Sequence, residues 1–121
     1  MKTGDSQIGT IVNLITHSPL WSASGNSVIV ITWDEDNNPG NKARIQGCCG
    51  FDPNSAANFG GGHIATIVIT NHGPRGVVDP TPYNHYSLLR TTEDAFGIYE
   101  YLNEAGDTGK GVKPMTALLT K

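Results

Sequence analysis

Residues 27–37 read SVIVITWDEDN, and this stretch decides the fold. From Ser27 to Trp33 it is apolar and β-branched, with no polar residue recurring at every second position. A run of that kind suits a strand covered on both faces, as in a parallel α/β sheet, because a half-solvated strand would alternate. The pattern then switches at once to Asp34, Glu35 and Asp36. Charge placed directly after a buried strand is how the carboxyl edge of a sheet delivers polar groups to a site.

Working outward, residues 64–70, IATIVIT, make a second strand of the same buried kind. Between the two, residues 38–62 are rich in glycine, proline and asparagine and read as an irregular functional loop or insertion. Upstream, residues 5–17 place Ile8, Ile11, Val12 and Ile15 at helical spacing, with Leu14 on the flank and Asp5 or Ser6 as N-cap. Ser18-Pro19 stops that helix, since a residue before proline avoids helical backbone, and Trp21 opens a linker. Downstream, residues 71–82, NHGPRGVVDPTP, form a connection, and a helix is predicted from Asn84 to Phe96 with Gly97 as its C-terminal glycine. Residues 99–121 are weakly patterned, and Met115, Leu118 and Leu119 are expected to dock as a short turn. The element order implies α/β architecture with a parallel or mixed sheet. Two strands are too few for a doubly wound sheet, so the expectation is a partial domain: residues 1–98 as one segment and 99–121 as a tail.

Composition excludes several classes of function. With eight Lys and Arg against eleven Asp and Glu, the net charge of −3 leaves no basic patch for a nucleic-acid backbone. The scattered cations form no basic helix for a membrane surface, and the longest apolar run, Val28 to Ile31, is far too short for a transmembrane segment. The N-terminus carries no secretory signal pattern, which leaves localisation open. The two cysteines, Cys48 and Cys49, are adjacent and form no disulfide framework. They admit a vicinal-dithiol site as a third-ranked reading, behind buried or idle thiols.

Asp34, Glu35 and Asp36 lead the candidates for chemistry. Clustered hard oxygens hold Mg²⁺, Mn²⁺ or Ca²⁺, and with imidazole also Zn²⁺; the competing reading is a solvated acidic loop. Of the four histidines, His17 reads as a C-terminal helix cap and His63 as lying at the entry edge of the second strand, the wrong end for a site. His72 reads as lying at that strand's favourable carboxyl end, and His85 opens the last helix. Ser87 is unsuited as a nucleophile beside His85, for want of a nucleophile elbow. Gly60-Gly61-Gly62 precedes a strand and so lacks the context of a phosphate loop.

Three blocks in order carry a resemblance: VIVITWDEDN at 28–37, IVITNHGPRG at 67–76 and YNHYSLLRTTEDAFG at 83–97. Together with GDSQIGTIVNLITHSPLW before them, they resemble the phosphoesterase family of bacterial phospholipases C and acid phosphatases, within the alkaline-phosphatase-like superfamily. The resemblance implies an α/β/α sandwich of which this chain is the C-terminal part. It also implies metal-dependent hydrolysis of a phosphoester small molecule or phospholipid headgroup. On it, Asp34 and Glu35 fall on the family's acidic pair and are assigned as ligands of a divalent metal ion. His85 is assigned to catalysis, at the metal or against the transferring phosphoryl group. Arg90 and Glu93 are expected to pair along the helix. The family's nucleophile and its first acidic motif lie upstream of the matching blocks, so the chain is expected to be an incomplete fragment with partial activity at most. The alternative is a non-catalytic remnant or interaction module of the same fold, with an exposed sheet edge open to oligomerisation.

Overall fold

The computed structural model describes residues 2–23, 25–35 and 62–120. Residues 38–61 of the loop expected at 38–62, with Cys48-Cys49 and Gly60-Gly61, lie outside the described residues, as does Asp36.

Helix α1 spans Lys2–Thr16, three residues longer at its start than its apolar spacing suggests. It ends as predicted: the His17 imidazole Nδ1 lies 2.9 Å from the Asn13 carbonyl, satisfying one of the orphan acceptors of the last turn. The Trp21 segment is helical, a correction to the expected linker. Helix α2, Pro19–Ala23, starts on its proline, and the Trp21 amide donates to both the carbonyl and the Oγ of Ser18. Proline cannot continue α1, but its fixed φ suits the first position of a new helix.

Strands β1 (Val28–Thr32) and β2 (Thr66–Thr70) pair antiparallel in a two-stranded sheet, with Val28 opposite Thr70 and Thr32 opposite Thr66. This corrects two expectations. The pair is not parallel, and the strands are not buried on both faces: Val28 and Ile67 remain 45% and 50% exposed, and Thr70 alone of the strand residues is buried. A continuous apolar run reports a demand for cover on two faces; it carries no information on strand direction, which the hydrogen-bond register sets. Mixed helix and strand is what the structure shows of the expected α/β class.

Helix α3, His85–Ala95, is defined at both ends by side-chain and backbone chemistry. Asn84 and Ser87 form a capping box. At the other end the Ile98 amide donates to the Glu93 carbonyl and the Gly97 amide to that of Asp94, with Gly97 at φ +69°. That is a Schellman ending, and the glycine supplies the left-handed backbone it requires.

The segment after α3, expected as weakly structured, carries much of the packing instead. It folds into three 3-10 helices, Asn103–Gly106, Thr108–Lys110 and Thr116–Leu118. Ala105, Val112 and Met115 are the buried apolar residues among those described. Polar anchors tie this segment to α3. The Leu102 amide donates to Glu93 Oε1 at 2.9 Å, and the Tyr101 hydroxyl donates to Asp94 Oδ1 at 2.7 Å. The Arg90 guanidinium lies 4.7 Å from the Tyr101 ring centroid. Arg90 and Glu93 are therefore structural, as expected, but not as each other's partners: Arg90 faces Asp94 at 3.9 Å and Glu93 caps a backbone amide. The short turn expected at Met115, Leu118 and Leu119 is present as the last of these helices; the order of the rest comes from short polar anchors, which leave no periodicity to read.

Candidate functional site

At the end of β1 the chain releases Trp33, then Asp34 and Glu35, all exposed. The ladder is closed there by the Thr32 and Thr66 hydroxyls, 2.8 Å apart. Antiparallel pairing places the carboxyl end of β1 beside the entry to β2. The roles expected for two histidines are thereby reversed. His63 precedes β2 at the edge that carries Asp34 and Glu35, whereas His72 follows β2 at the opposite edge. There its neighbour Asn71 bonds Ser27 and the Trp21 carbonyl. A strand of five residues separates the two edges by about 17 Å.

His85 arrives at the first edge from α3. Its Nε2 lies 2.8 Å from the main-chain oxygen of Asp34, across 51 residues of sequence. A carbonyl only accepts, so Nε2 carries the hydrogen and Nδ1 of the neutral ring presents the lone pair. The placement of His85 is prepared upstream. Arg75 staples the turn after β2, donating to Thr70 Oγ1 and to the Asn71 carbonyl, each at 3.0 Å. Gly73 fits there because a Cβ would stand 2.5 Å from Thr70 Oγ1 and 2.9 Å from the Leu119 carbonyl. Asp79 then accepts from the Thr81 amide at 3.0 Å and from the Tyr83 hydroxyl at 2.7 Å, shaping the approach to Asn84. The Thr81 side chain foremost, then the Thr81 amide and Tyr83, hold the Asp79 carboxyl below the ordinary carboxylate range. Burial foremost, with Asp79 second, pushes the Tyr83 phenol up. These positioning residues were missed in the sequence, although Asp79-Pro80-Thr81-Pro82 is a turn signal of the kind that would have found them.

The structure thus brings Asp34 and His85 together and leaves Glu35 beside them in sequence. Two carboxylates are hard donors suited to a cation, but they are only part of a donor set. Among the described residues no three or more of His, Cys, Asp and Glu converge as metal ligands. A catalytic zinc takes about three protein ligands and Mg²⁺ or Ca²⁺ about six oxygens, so these residues alone do not complete a centre. Ser87 is fully buried and occupied by the capping box, which leaves it no path to a substrate.

Residues 1–99 match the family model described as Phosphoesterase family. No curated protein and no solved structure matches the chain.

Proposed function

The chain belongs to the phosphoesterase family, and from that premise we propose that its sheet edge at Asp34, Glu35 and His85 is the part of a phosphoester-hydrolysing site that this chain contributes. The observation that carries the reading is the 2.8 Å contact between His85 Nε2 and the main-chain oxygen of Asp34. It joins two separated sequence blocks, both inside the matched region, at one edge of the sheet.

Hydrolysis of a phosphoester adds water across the P–O bond: the attacking oxygen gives up a proton and the leaving oxygen gains one. Negative charge accumulates on the phosphoryl oxygens, and carboxylates beside them are tolerated where a cation offsets the repulsion. We assign that task to a divalent ion, Zn²⁺, Mn²⁺, Mg²⁺ or Ca²⁺, held in part by Asp34 and Glu35. Such an ion supplies charge neutralisation when bound. His85, anchored through Nε2, offers Nδ1 as a lone pair toward a cation or, when protonated, as a donor to a phosphoryl oxygen. The substrate class is a small phosphoester or a phospholipid headgroup, of the phospholipase C or acid phosphatase type. No helix among the described residues is long and apolar enough to cross a membrane.

The test is a melting series with and without each cation. The native chain should melt at a higher temperature with at least one of them, and Asp34→Asn with Glu35→Gln should lose that shift. Superimposable native curves with all four ions would remove the metal-dependent reading.

A further inference from the structure

The helix that carries His85 is held by a segment the family match does not include, and Thr91 is the residue where the two meet. Thr91 lies one turn beyond Ser87 on α3 and is 8% exposed. Its Oγ1 accepts from the Met115 amide at 2.8 Å and donates to the Ser87 carbonyl at 2.6 Å. The direction is unambiguous, because the amide has only a hydrogen to give and the carbonyl only lone pairs to receive. Ser87 in turn donates its amide to Asn84 Oδ1 at 3.0 Å, and the Asn84 amide reaches back to Ser87 Oγ at 3.4 Å. His85 sits inside that reciprocal pair, with its ring on Asp34. A chain of hydrogen bonds therefore runs from Met115, sixteen residues past the end of the matched region, to the first turn of α3.

We infer that Thr91 is a positioning residue for His85, and that the segment around Met115 acts through it to hold the imidazole against the Asp34 carbonyl. A threonine hydroxyl bonding back to the carbonyl four residues earlier ordinarily tends to bend a helix. Here the same hydroxyl also accepts from the Met115 amide. Linked bonds of this kind polarise and stiffen one another in a buried setting, and Ser87, Thr91 and Met115 are all buried. The consequence is a helix N-terminus whose register is fixed from behind, so the ring at its first position has one direction in which to point.

The inference rests on His85 being a site residue, but its readout is ring geometry rather than turnover. A null metal response would sink the functional reading alone. The experiment is long-range ¹H–¹⁵N correlation of the histidine rings in the full chain. The native protein should show His85 with separated nitrogen shifts, as one Nε2–H tautomer. Thr91→Val keeps the shape and removes the hydroxyl, and should draw the two nitrogen shifts together as the tautomers mix. Thr91→Ser restores the hydroxyl and should restore the native pattern. A hydroxyl with a merely structural role would lower the melting temperature of Thr91→Val and leave the ring shifts at native values, and that result overturns the inference. Should Thr91→Val not fold, the native chain in sub-denaturing urea decides. Exchange of the Met115 amide and loss of the single His85 tautomer should then share one urea dependence, and unequal dependences overturn it equally.

Discussion

At the scale of single residues, Asp79 shapes the approach to the helix that carries His85. Its carboxylate gathers the Thr81 amide and the Tyr83 hydroxyl just before the cap of α3. The Thr81 side chain foremost, then these two donors, favour the charged form, so the carboxyl titrates below its ordinary range. A depressed folded-state value means the group stabilises the fold above its unfolded value, near about 4, and that the contribution is lost as pH falls through the folded value. Asp79→Asn carries no titrating group. Urea midpoints measured from about pH 6 downward should show the native chain ahead at the upper end, with the gap closing as acid protonates Asp79. A gap independent of pH would count against the carboxylate's role. Among the histidines, His17 was readable because a helix end creates a local need for a donor. The edges occupied by His63 and His72 were not, because they depend on which way a distant strand runs.

At the scale of elements, α3 was the most legible part of the chain and the most consequential for the site. The sequence reading began the helix at Asn84 and placed Gly97 as its C-terminal glycine; the structure makes Asn84 the N-cap and Gly97 part of the closing turn, through bonds that follow from local backbone geometry. Asn84→Ala should lower stability by about 1 kcal/mol, since the amide of Ser87 loses its acceptor and alanine offers none. Asn84→Asp should recover most of that loss, as read from chemical denaturation. The cap also sets where His85 begins, so Asn84→Ala is expected to weaken any cation-dependent melting shift beyond its effect on stability. The strands were legible as strands and mis-read in their pairing. Of the 3-10 helices after α3, only the last was legible, as the short turn expected at Met115, Leu118 and Leu119; the first two were not, because a single anchor such as Leu102 on Glu93 leaves no periodic trace in the residues.

For the molecule as a whole, apolar surface remains without cover among the described residues. Helix α1 presents Ile11 and Leu14 at 56% and 68% exposure, and a gap of about 350 Å³ lined by Ile8, Ile11, Val12 and β1 separates it from the sheet. A two-stranded sheet is marginal by itself, and among the described residues nothing pairs with its outer hydrogen-bonding edges; β1 carries none of the charges or prolines that discourage edge pairing. Our proposal at this scale is self-association through that edge. Size-exclusion chromatography with light scattering should show mass rising with concentration, and Val30→Lys, placing a charge on β1, should reduce the rise. A concentration-independent monomer in the native chain would discard it.

The residues by themselves determined the local elements and the family, because helix spacing, caps, β-branched runs and ordered motif blocks are written within a few positions of one another. Ser18-Pro19 ending α1, Asn84 and Gly97 bounding α3, and the acidic release after β1 all belong to that class. Tertiary structure alone decided the strand direction, the edge on which each histidine lies, the anchoring of residues 99–120 on α3, and the meeting of His85 with Asp34. The strand pairing, the His85–Asp34 contact and the bond between Met115 and Thr91 each join positions tens of residues apart. The free energy of each depends on how both partners are presented in space, which no single window of sequence contains.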